Sequence, residues 1–214
     1  MDNDKYKTIT EKAIGEGFYS ESRSKFLAFA HHVDSVEQAL EIVKEYRKKY
    51  YNARHCCYAY RIGFMGEEFR MNDDGEPSST AGKPILGQID SNGLTNTLII
   101  VVRYFGGVKL GTSGLIVAYR EASSDAIAHC DIEERFIEEQ IKFTFSYPMM
   151  NAVMKIVKDM NPRIINQVFD NTCELTLSIR KSYADELKTR LNKLSFELQV
   201  FIKDYEVSFE SNLI

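Results

Sequence analysis

The last third of the chain shows an order of structural elements that few folds can accommodate. The run "RFIEEQIKFTFSY" (135–147) alternates like a strand, and residues 149–160 follow with apolar side chains at helical spacing. Two strand-like runs then meet near the turn-forming pair Asp170-Asn171. A second helical stripe (182–195) precedes a closing strand-like run (197–210). This β-α-β-β-α-β order within about 75 residues predicts a ferredoxin-like domain.

The first part of the chain mixes strands and helices in a different order. Ser35 and Gln38 fit a capping box that opens a helix, and "NTLIIVVRYF" (96–105) predicts a strand buried on both faces. We therefore predict an α+β fold with two domains, 1–133 and 134–214. Further strands are predicted at 22–33, 54–64 and 67–75, and a second helix at 115–130.

Charge and cysteine usage restrict the classes of function. The chain has 214 residues and a net charge of −4, with 17 basic and 20 acidic residues up to Phe136, so any nucleic-acid contact needs a local basic patch. The four cysteines form no C-x-x-C pair, which argues against a disulfide framework or a zinc ribbon. The charged N-terminus and the short apolar runs predict a cytoplasmic protein with no membrane partner.

The stretch "DDGEPSSTAGKPILGQID" (73–90) is predicted to be a loop because it is dense in polar residues, glycine and proline. Its carboxylates at Asp73, Asp74 and Glu76 could bind a cation or act as acid and base, or they could simply form a turn at Asp74-Gly75. The spacing matches neither an EF-hand nor a P-loop. We predict no metal site here, and His31-His32 has no recognisable metal partner in the sequence.

A second stretch, "RYFGGVKLGTSGL" (103–115), joins the apolar strand to a helix. Converging backbone N–H groups, the helix N-terminus and Lys109 could bind an anion. The alternative is a tight connection in which Thr112 or Ser113 caps the helix. No G-x-G-x-x-G follows a strand, so a dinucleotide site is not supported.

In "ARHCCYAYR" (53–61), strand alternation places His55 and Cys57 on one face and Cys56 on the other. A Cys-His nucleophile is one interpretation. A structural thiol beside a ligand-facing histidine is the interpretation we favour, because nothing in the sequence indicates a depressed thiol pKa. We predict no catalytic residue.

Together, "RHCCYAYRIG", "DDGEPSSTAGKPIL" and "VVRYFGGVKLGTSGLIVAY" resemble the IMPACT family, and the two-domain layout is similar to its bacterial YigZ branch. The resemblance implies an N-terminal domain of the ribosomal protein S5 domain 2-like type and a C-terminal domain similar to one in elongation factor G. It also implies translational regulation, as in eukaryotic IMPACT. That protein has an additional N-terminal partner-binding domain, so we expect its partner interaction not to carry over.

The family's motif positions give the candidate site. Val117 occupies a position that is often basic in the family. Any anion would therefore be bound by arginine and lysine side chains at other positions. The expected ligand- or anion-binding residues are His55, Arg61, Lys83, Arg103, Gly106, Gly107, Lys109, Gly111 and Thr112. The expected site-organising residues, which cap backbone N–H groups and orient the cationic side chains, are Asp73, Asp74, Glu76, Ser78 and Thr80.

The leading functional hypothesis is a non-catalytic, translation-associated regulatory protein that binds RNA or a ribosomal surface. Its expected partners are RNA, the ribosome or a translation-related protein, without a cofactor. One alternative is an enzyme or a small-ligand protein that binds a phosphate-containing molecule through the Asp-Asp-Gly-Glu loop. Another is a pure protein-interaction module.

Overall fold

A computed structural model describes residues 4–201 and 208–213. Contacts divide the chain into two compact units, one spanning Tyr6–Arg135 and the other formed by the residues before Tyr6 and those from Phe136 onward. Both units combine helices with a β-sheet, so the predicted α+β, two-domain fold class is confirmed. Among the described residues, no helix combines the length and the apolar character that crossing a membrane requires.

The Tyr6–Arg135 unit is built on a five-stranded sheet in which every neighbouring pair is antiparallel. The apolar run predicted to be buried is the central strand, and it is buried on both faces. In spatial order the strands are β2 (Gly15–Glu21), β3 (Ser24–His32), β6 (Thr97–Tyr104), β4 (His55–Ile62) and β5 (Glu68–Asn72). The strands β1 (Lys5–Ile9) and β7 (Ile132–Phe136) form a separate two-stranded sheet.

Helices cover both faces of this five-stranded sheet. Helix α1 (Val36–Lys49) packs on the face that carries Cys56 and Tyr58, and the Ser35 hydroxyl accepts from the Gln38 N–H as predicted. Helices α2 (Gly82–Ser91) and α3 (Gly111–Ala128) pack on the other face, against Cys57. The predicted alternation along β4 is therefore confirmed.

The prediction that 73–90 is entirely a loop was wrong, because Gly82–Ser91 is helical. Pro84 is tolerated in the first helical turn, where backbone N–H groups have no intrahelical partner. The apparent N-cap, Ala81, has no capping side chain. Asp73 supplies the cap from eight residues upstream, so the helix start has no local sequence signal.

The start of α3 also differs from the prediction. The helix begins at Gly111, so Thr112 and Ser113 lie inside its first turn and neither is the N-cap. The N-cap position is taken by Leu110, which makes no side-chain hydrogen bond to the helix. The first N–H groups of α3 are consequently left without a capping side chain.

The second unit has the predicted β-α-β-β-α-β order, with strands in the spatial order β11-β8-β10-β9 and all pairs antiparallel. Its elements are β8 (Glu138–Phe145), α4 (Met150–Met160), β9 (Arg163–Phe169), β10 (Cys173–Arg180), α5 (Lys181–Phe201) and β11 (Ser208–Leu213). The strand predicted at 197–210 was wrong in its first part: α5 continues through residue 201. Residues 202–207 lie outside the described residues, and β11 begins at Ser208.

Candidate functional site

A cavity of about 540 Å³ opens in the Tyr6–Arg135 unit where β4 begins, β6 ends and α3 starts. Three cationic side chains line it, from Arg54, Arg103 and Lys109. His55 and Glu76 also line it. The remaining lining residues are Pro77, Phe105, Leu110, Gly111, Thr112 and Leu115. The cavity therefore combines an apolar wall with a concentration of positive charge.

The charges in this cavity do not cancel. Glu76 is the carboxylate among the lining residues, and its Oε1 accepts hydrogen bonds from Arg103 Nη1 at 2.5 Å and from the Tyr119 hydroxyl at 2.8 Å. Its charge is therefore already engaged by Arg103. None of the described residues gives Arg54 or Lys109 an ion-pair partner. A net positive charge remains, and it favours an anionic ligand.

Arg103 is held rigidly at the back of the cavity. Its side chain is 6% exposed, and its guanidinium lies 5.4 Å from the ring centre of Phe26 and 5.6 Å from that of Phe105. Its Nε is buried and has no hydrogen-bond partner among the described residues. Buried polar groups are nearly always satisfied, so this N–H, unpaired among the described residues, is an exception.

The N-terminus of α3 forms one wall of the same cavity through Gly111 and Thr112. Gly111 has φ +69°, a conformation that favours glycine and turns the chain into the helix. Because no side chain caps this helix, its first N–H groups and its dipole are available to an anion. Lys109, two residues before Gly111, adds a full positive charge.

His55 is oriented by the backbone of the acidic loop. Its Nδ1 lies 2.8 Å from the carbonyl oxygen of Asp74, and because a carbonyl only accepts, Nδ1 carries the proton and donates. The opposite nitrogen, Nε2, lies 3.8 Å from Oε1 of Glu76. The imidazole is thus fixed at the cavity wall, between the loop and the Arg103–Glu76 pair.

The carboxylates of the loop act as organisers. Asp73 Oδ1 accepts from the N–H groups of Ala81 at 3.0 Å and Gly82 at 2.8 Å, and its Oδ2 accepts from Ser79 at 2.9 Å. One aspartate thereby ties the loop to the start of α2. These bonds occupy both oxygens and give Asp73 a structural role rather than a metal-binding one.

Asp74 ties the same loop to neighbouring elements, and Thr80 closes a turn within the loop. Asp74 accepts from the N–H of Cys56 and from Arg47 Nη2, each at 2.7 Å. The Thr80 hydroxyl donates to the Pro77 carbonyl at 2.6 Å. The loop is therefore anchored both to β4 and to α1.

Five of the nine expected ligand residues line the cavity, namely His55, Arg103, Lys109, Gly111 and Thr112. Arg61 does not: its Nε donates to Asp90 at 2.6 Å and its Nη1 to the Gly66 carbonyl at 2.7 Å. Lys83, with Ser78 and Thr80, lines a neighbouring hollow of about 430 Å³. Thr112 lines both spaces, so Lys83 borders the site without entering it.

The two glycines of the β6–α3 connection serve the backbone. A Cβ on Gly106 would come within 2.1 Å of the carbonyl carbon of Arg23, so the close approach of two backbone segments requires glycine. Gly107 has φ +89° and open space around it. Both positions shape the cavity rim, but neither lines the cavity.

The cysteines of β4 are unsuited to nucleophilic chemistry. Burial raises the pKa of the Cys56 thiol to about 11, and burial raises the pKa of Cys57 still further. Both thiols are neutral near pH 7, and the thiolate is the nucleophilic form. The interpretation of structural thiols beside an oriented His55 accounts for this geometry better than a Cys-His nucleophile.

Sequence reasoning did not assign Arg54 and Tyr119 to the site. Arg54 joins the cavity because its backbone N–H donates to the Arg103 carbonyl at 2.9 Å, at the start of the β4–β6 ladder. Tyr119 reaches Glu76 from the third turn of α3. The register of β4 with β6 places Arg54 at the cavity, and the rotation of α3 places Tyr119 beside Glu76. Neither can be predicted from a short sequence motif.

The sequence matches the model of the Impact N-terminal domain over residues 22–127, a range that contains every residue lining the cavity. The IMPACT family member YvyE of Bacillus subtilis is 40% identical over 145 residues, which cover 68% of this chain and 67% of YvyE. The chain belongs to the IMPACT family. The resemblance to this family and to its YigZ branch is thereby confirmed.

Two more matches extend over both units. The IMPACT family member YigZ of Escherichia coli is 29% identical over 175 residues, covering 81% of this chain and 86% of YigZ. A crystal structure described as that of a hypothetical protein aligns with a TM-score of 0.65 and 24% identity, covering 95% of this chain and 96% of that one. The second match shows a shared fold alone. At 175 residues, the alignment with YigZ is longer than the Tyr6–Arg135 unit, so the similarity to IMPACT family members extends beyond that unit.

Proposed function

We propose that this IMPACT family member is a non-catalytic, translation-associated regulatory protein that binds RNA, free or on a ribosomal surface. The translational part of the proposal comes from the family. Similarity to its eukaryotic members supports a translation-associated regulatory role for this chain. The RNA part comes from the chemistry of the cavity.

One observation carries RNA binding: the cavity gathers Arg54, Arg103 and Lys109 around a single carboxylate that Arg103 already neutralises. The chain as a whole is acidic, with a net charge of −4. A local cationic concavity on an acidic protein attracts a polyanion to one place rather than to the whole surface. The uncapped N-terminus of α3 adds N–H donors that suit phosphate oxygens.

The size and walls of the cavity favour a single strand. A volume of about 540 Å³ suits one nucleotide with its phosphate and does not admit a duplex. Phe105 lines the cavity and is 50% exposed, so a base can stack on its ring while phosphate meets the cations. Aromatic stacking beside phosphate contacts is the usual way proteins hold unpaired RNA.

The non-catalytic part rests on how the reactive groups are used. The Asp73 and Asp74 carboxylates bind backbone N–H groups, and the Glu76 carboxylate holds Arg103 and Tyr119. The β4 thiols stay protonated near neutral pH. These carboxylates are therefore engaged in holding the cavity walls, and these thiols are not in their nucleophilic form.

The experiment measures fluorescence anisotropy of a labelled single-stranded oligoribonucleotide at low salt. The variant Arg54→Ala/Lys109→Ala removes two exposed cations from the cavity, and the control Lys44→Ala/Arg190→Ala removes two exposed cations elsewhere. We expect at least tenfold weaker binding in the first variant only, with melting temperatures close to that of the unmodified protein. Equal affinity of the two variants would overturn the RNA proposal.

A small phosphate-containing ligand is the second candidate, and the enclosed volume favours it because small-molecule sites typically measure about 300–1,000 Å³. Competition separates the two candidates. If a nucleoside monophosphate displaces the oligoribonucleotide at micromolar concentration, the cavity is a small-ligand site. If only longer RNA strands displace the labelled oligoribonucleotide, the site binds an RNA backbone over several nucleotides.

A further inference from the structure

A second cluster of polar side chains lies in the same unit, lining a hollow of about 210 Å³ that is separate from the cationic cavity. His32 ends β3, Asp34 precedes α1, and Glu11 lies in the connection between β1 and β2. One ligand-type atom from each of the three lies within 4.8 Å of the others. The fold thus brings Glu11 from another segment of the chain beside His32 and Asp34, which the sequence did not reveal.

The hydrogen bonds of His32 fix which nitrogen carries its proton. Its side chain is 2% exposed, and Nδ1 lies 3.0 Å from the Ile9 carbonyl and 2.9 Å from the Thr8 hydroxyl. The carbonyl only accepts, and the Thr8 hydroxyl can direct its own hydrogen to that carbonyl at 3.4 Å. Nδ1 therefore donates, and in the neutral imidazole the lone pair lies on Nε2.

That lone pair faces negative charge. Nε2 lies 3.0 Å from Asp34 Oδ1 and 3.8 Å from Glu11 Oε1, and both carboxylates are more than 60% exposed. A lone pair set against two carboxylates is unfavourable unless a proton or a metal cation lies between them. A backbone carbonyl on the opposite nitrogen is the arrangement that orients histidine for metal binding.

We propose that His32, Asp34 and Glu11 bind a divalent transition-metal ion such as Zn²⁺ or Mn²⁺. Two ligand atoms on one ion at about 2.1 Å are separated by about 3.0–3.4 Å, which the His32–Asp34 separation already meets. The Glu11 oxygen, 3.8 Å from Nε2, has to move closer to complete the set, and its side chain is exposed. One imidazole with two carboxylates favours these metals over Mg²⁺ and Ca²⁺, which prefer all-oxygen sites.

The surrounding charges support a cation at this position. Arg135 Nη2 lies 3.2 Å from Glu11, but Arg135 Nε is bonded to Glu133 at 2.5 Å, so Glu133 offsets its charge. The three carboxylates and one guanidinium leave an excess of two negative charges around the neutral imidazole. His31 also lines the hollow, but its Nε2 is engaged by the Tyr46 hydroxyl at 2.9 Å. The remaining coordination positions open to solvent.

The test is isothermal titration of the full chain, stripped with a chelator and kept reduced, with Zn²⁺, Mn²⁺ and Mg²⁺. We expect one equivalent of Zn²⁺ or Mn²⁺ to bind, and Mg²⁺ to bind much more weakly. Asp34→Asn and Glu11→Gln alter exposed side chains and should each weaken binding at least tenfold. The control Asp159→Asn changes an exposed aspartate on α4 and should leave binding unchanged.

Two results would overturn the metal site. One is the failure of both Zn²⁺ and Mn²⁺ to bind. The other is unchanged affinity in Asp34→Asn and Glu11→Gln, which would place the ion elsewhere, for example on the cysteines. Nitrogen-15 spectra of the imidazole supply a readout independent of affinity. The His32 Nε2 resonance should move on adding Zn²⁺, and an Nε2 that keeps a proton in excess Zn²⁺ contradicts the proposal.

Discussion

Oε1 of Glu76 lies 2.5 Å from Nη1 of Arg103, and both side chains are more than nine-tenths buried. The Tyr119 hydroxyl donates to the same oxygen. The Glu76 carboxylate therefore holds both side chains at the back of the cavity and neutralises part of the guanidinium charge. This pair explains why a loop rich in acidic residues borders a cationic site. The carboxylate makes it possible to bury an arginine where an anion is to be bound.

Replacing Glu76 by alanine should therefore leave a buried positive charge without its partner. We expect Glu76→Ala to lower the free energy of unfolding by about 3–5 kcal/mol in urea denaturation. Added inorganic phosphate should restore part of this loss by meeting the Arg103 charge. Glu121→Ala, at an exposed residue paired with its neighbour Arg120, serves as the control and should change stability little. A Glu76 variant as stable as that control would contradict the role of the pair.

Asp73 is expected to contribute to stability as the distant cap of α2. Because it accepts from three backbone N–H groups, Asp73→Ala should lower the free energy of unfolding by about 2 kcal/mol, at the upper end for an N-cap. Urea denaturation measures the loss, with Asp159→Ala as the matched surface control. A change no larger than in the control would show that the loop holds α2 without this carboxylate.

The two adjacent glycines of the β6–α3 connection should respond differently to alanine. Gly106→Ala places a methyl group against the backbone of Arg23 and Ser24, and we expect a loss of about 3 kcal/mol. Gly107→Ala meets no atom within 4 Å and carries only the strain of its positive φ, about 1 kcal/mol. Thermal denaturation of the two variants checks this order, and the reverse order would show that the close approach at Gly106 is not maintained.

His31 should make the stability of the protein depend on pH. Burial lowers its pKa from 6.5 to about 4. Between these values the unfolded chain binds a proton that the folded chain does not, so stability falls as the pH drops from about 6.5 to 4. His31→Gln should flatten the dependence in that window, measured by urea denaturation at several pH values. Parallel curves for the variant and the unmodified chain would rule out this contribution.

The sequence predicted whole elements better than it predicted their ends. The β-α-β-β-α-β order and the buried strand β6 follow from side-chain periodicity, which depends on burial along one element. The start of α2 could not be read because its cap, Asp73, lies eight residues away from Ala81. Capping rules apply to neighbouring residues, and this contact depends on the tertiary fold.

The candidate site shows the same division. The structure brings His55, Arg103 and Lys109 to one cavity, because each lies at or near the end of a strand or the start of a helix. Arg61 was misplaced because strand β4 is eight residues long and carries it to the opposite end of the strand, beside Asp90. Arg54 lies in the cavity because of the register of β4 with β6, and this register cannot be predicted from either strand alone.

The salt dependence of RNA affinity tests the central claim most directly. Each phosphate contact to a single strand contributes about −0.7 to the slope of log affinity against log salt concentration. Removing Arg54 and Lys109 together should make the slope shallower by about 1.4, whereas Lys44→Ala/Arg190→Ala should leave it unchanged. A slope that is the same in both double variants, or an RNA affinity that does not fall with salt, would show that this cavity does not bind the RNA backbone.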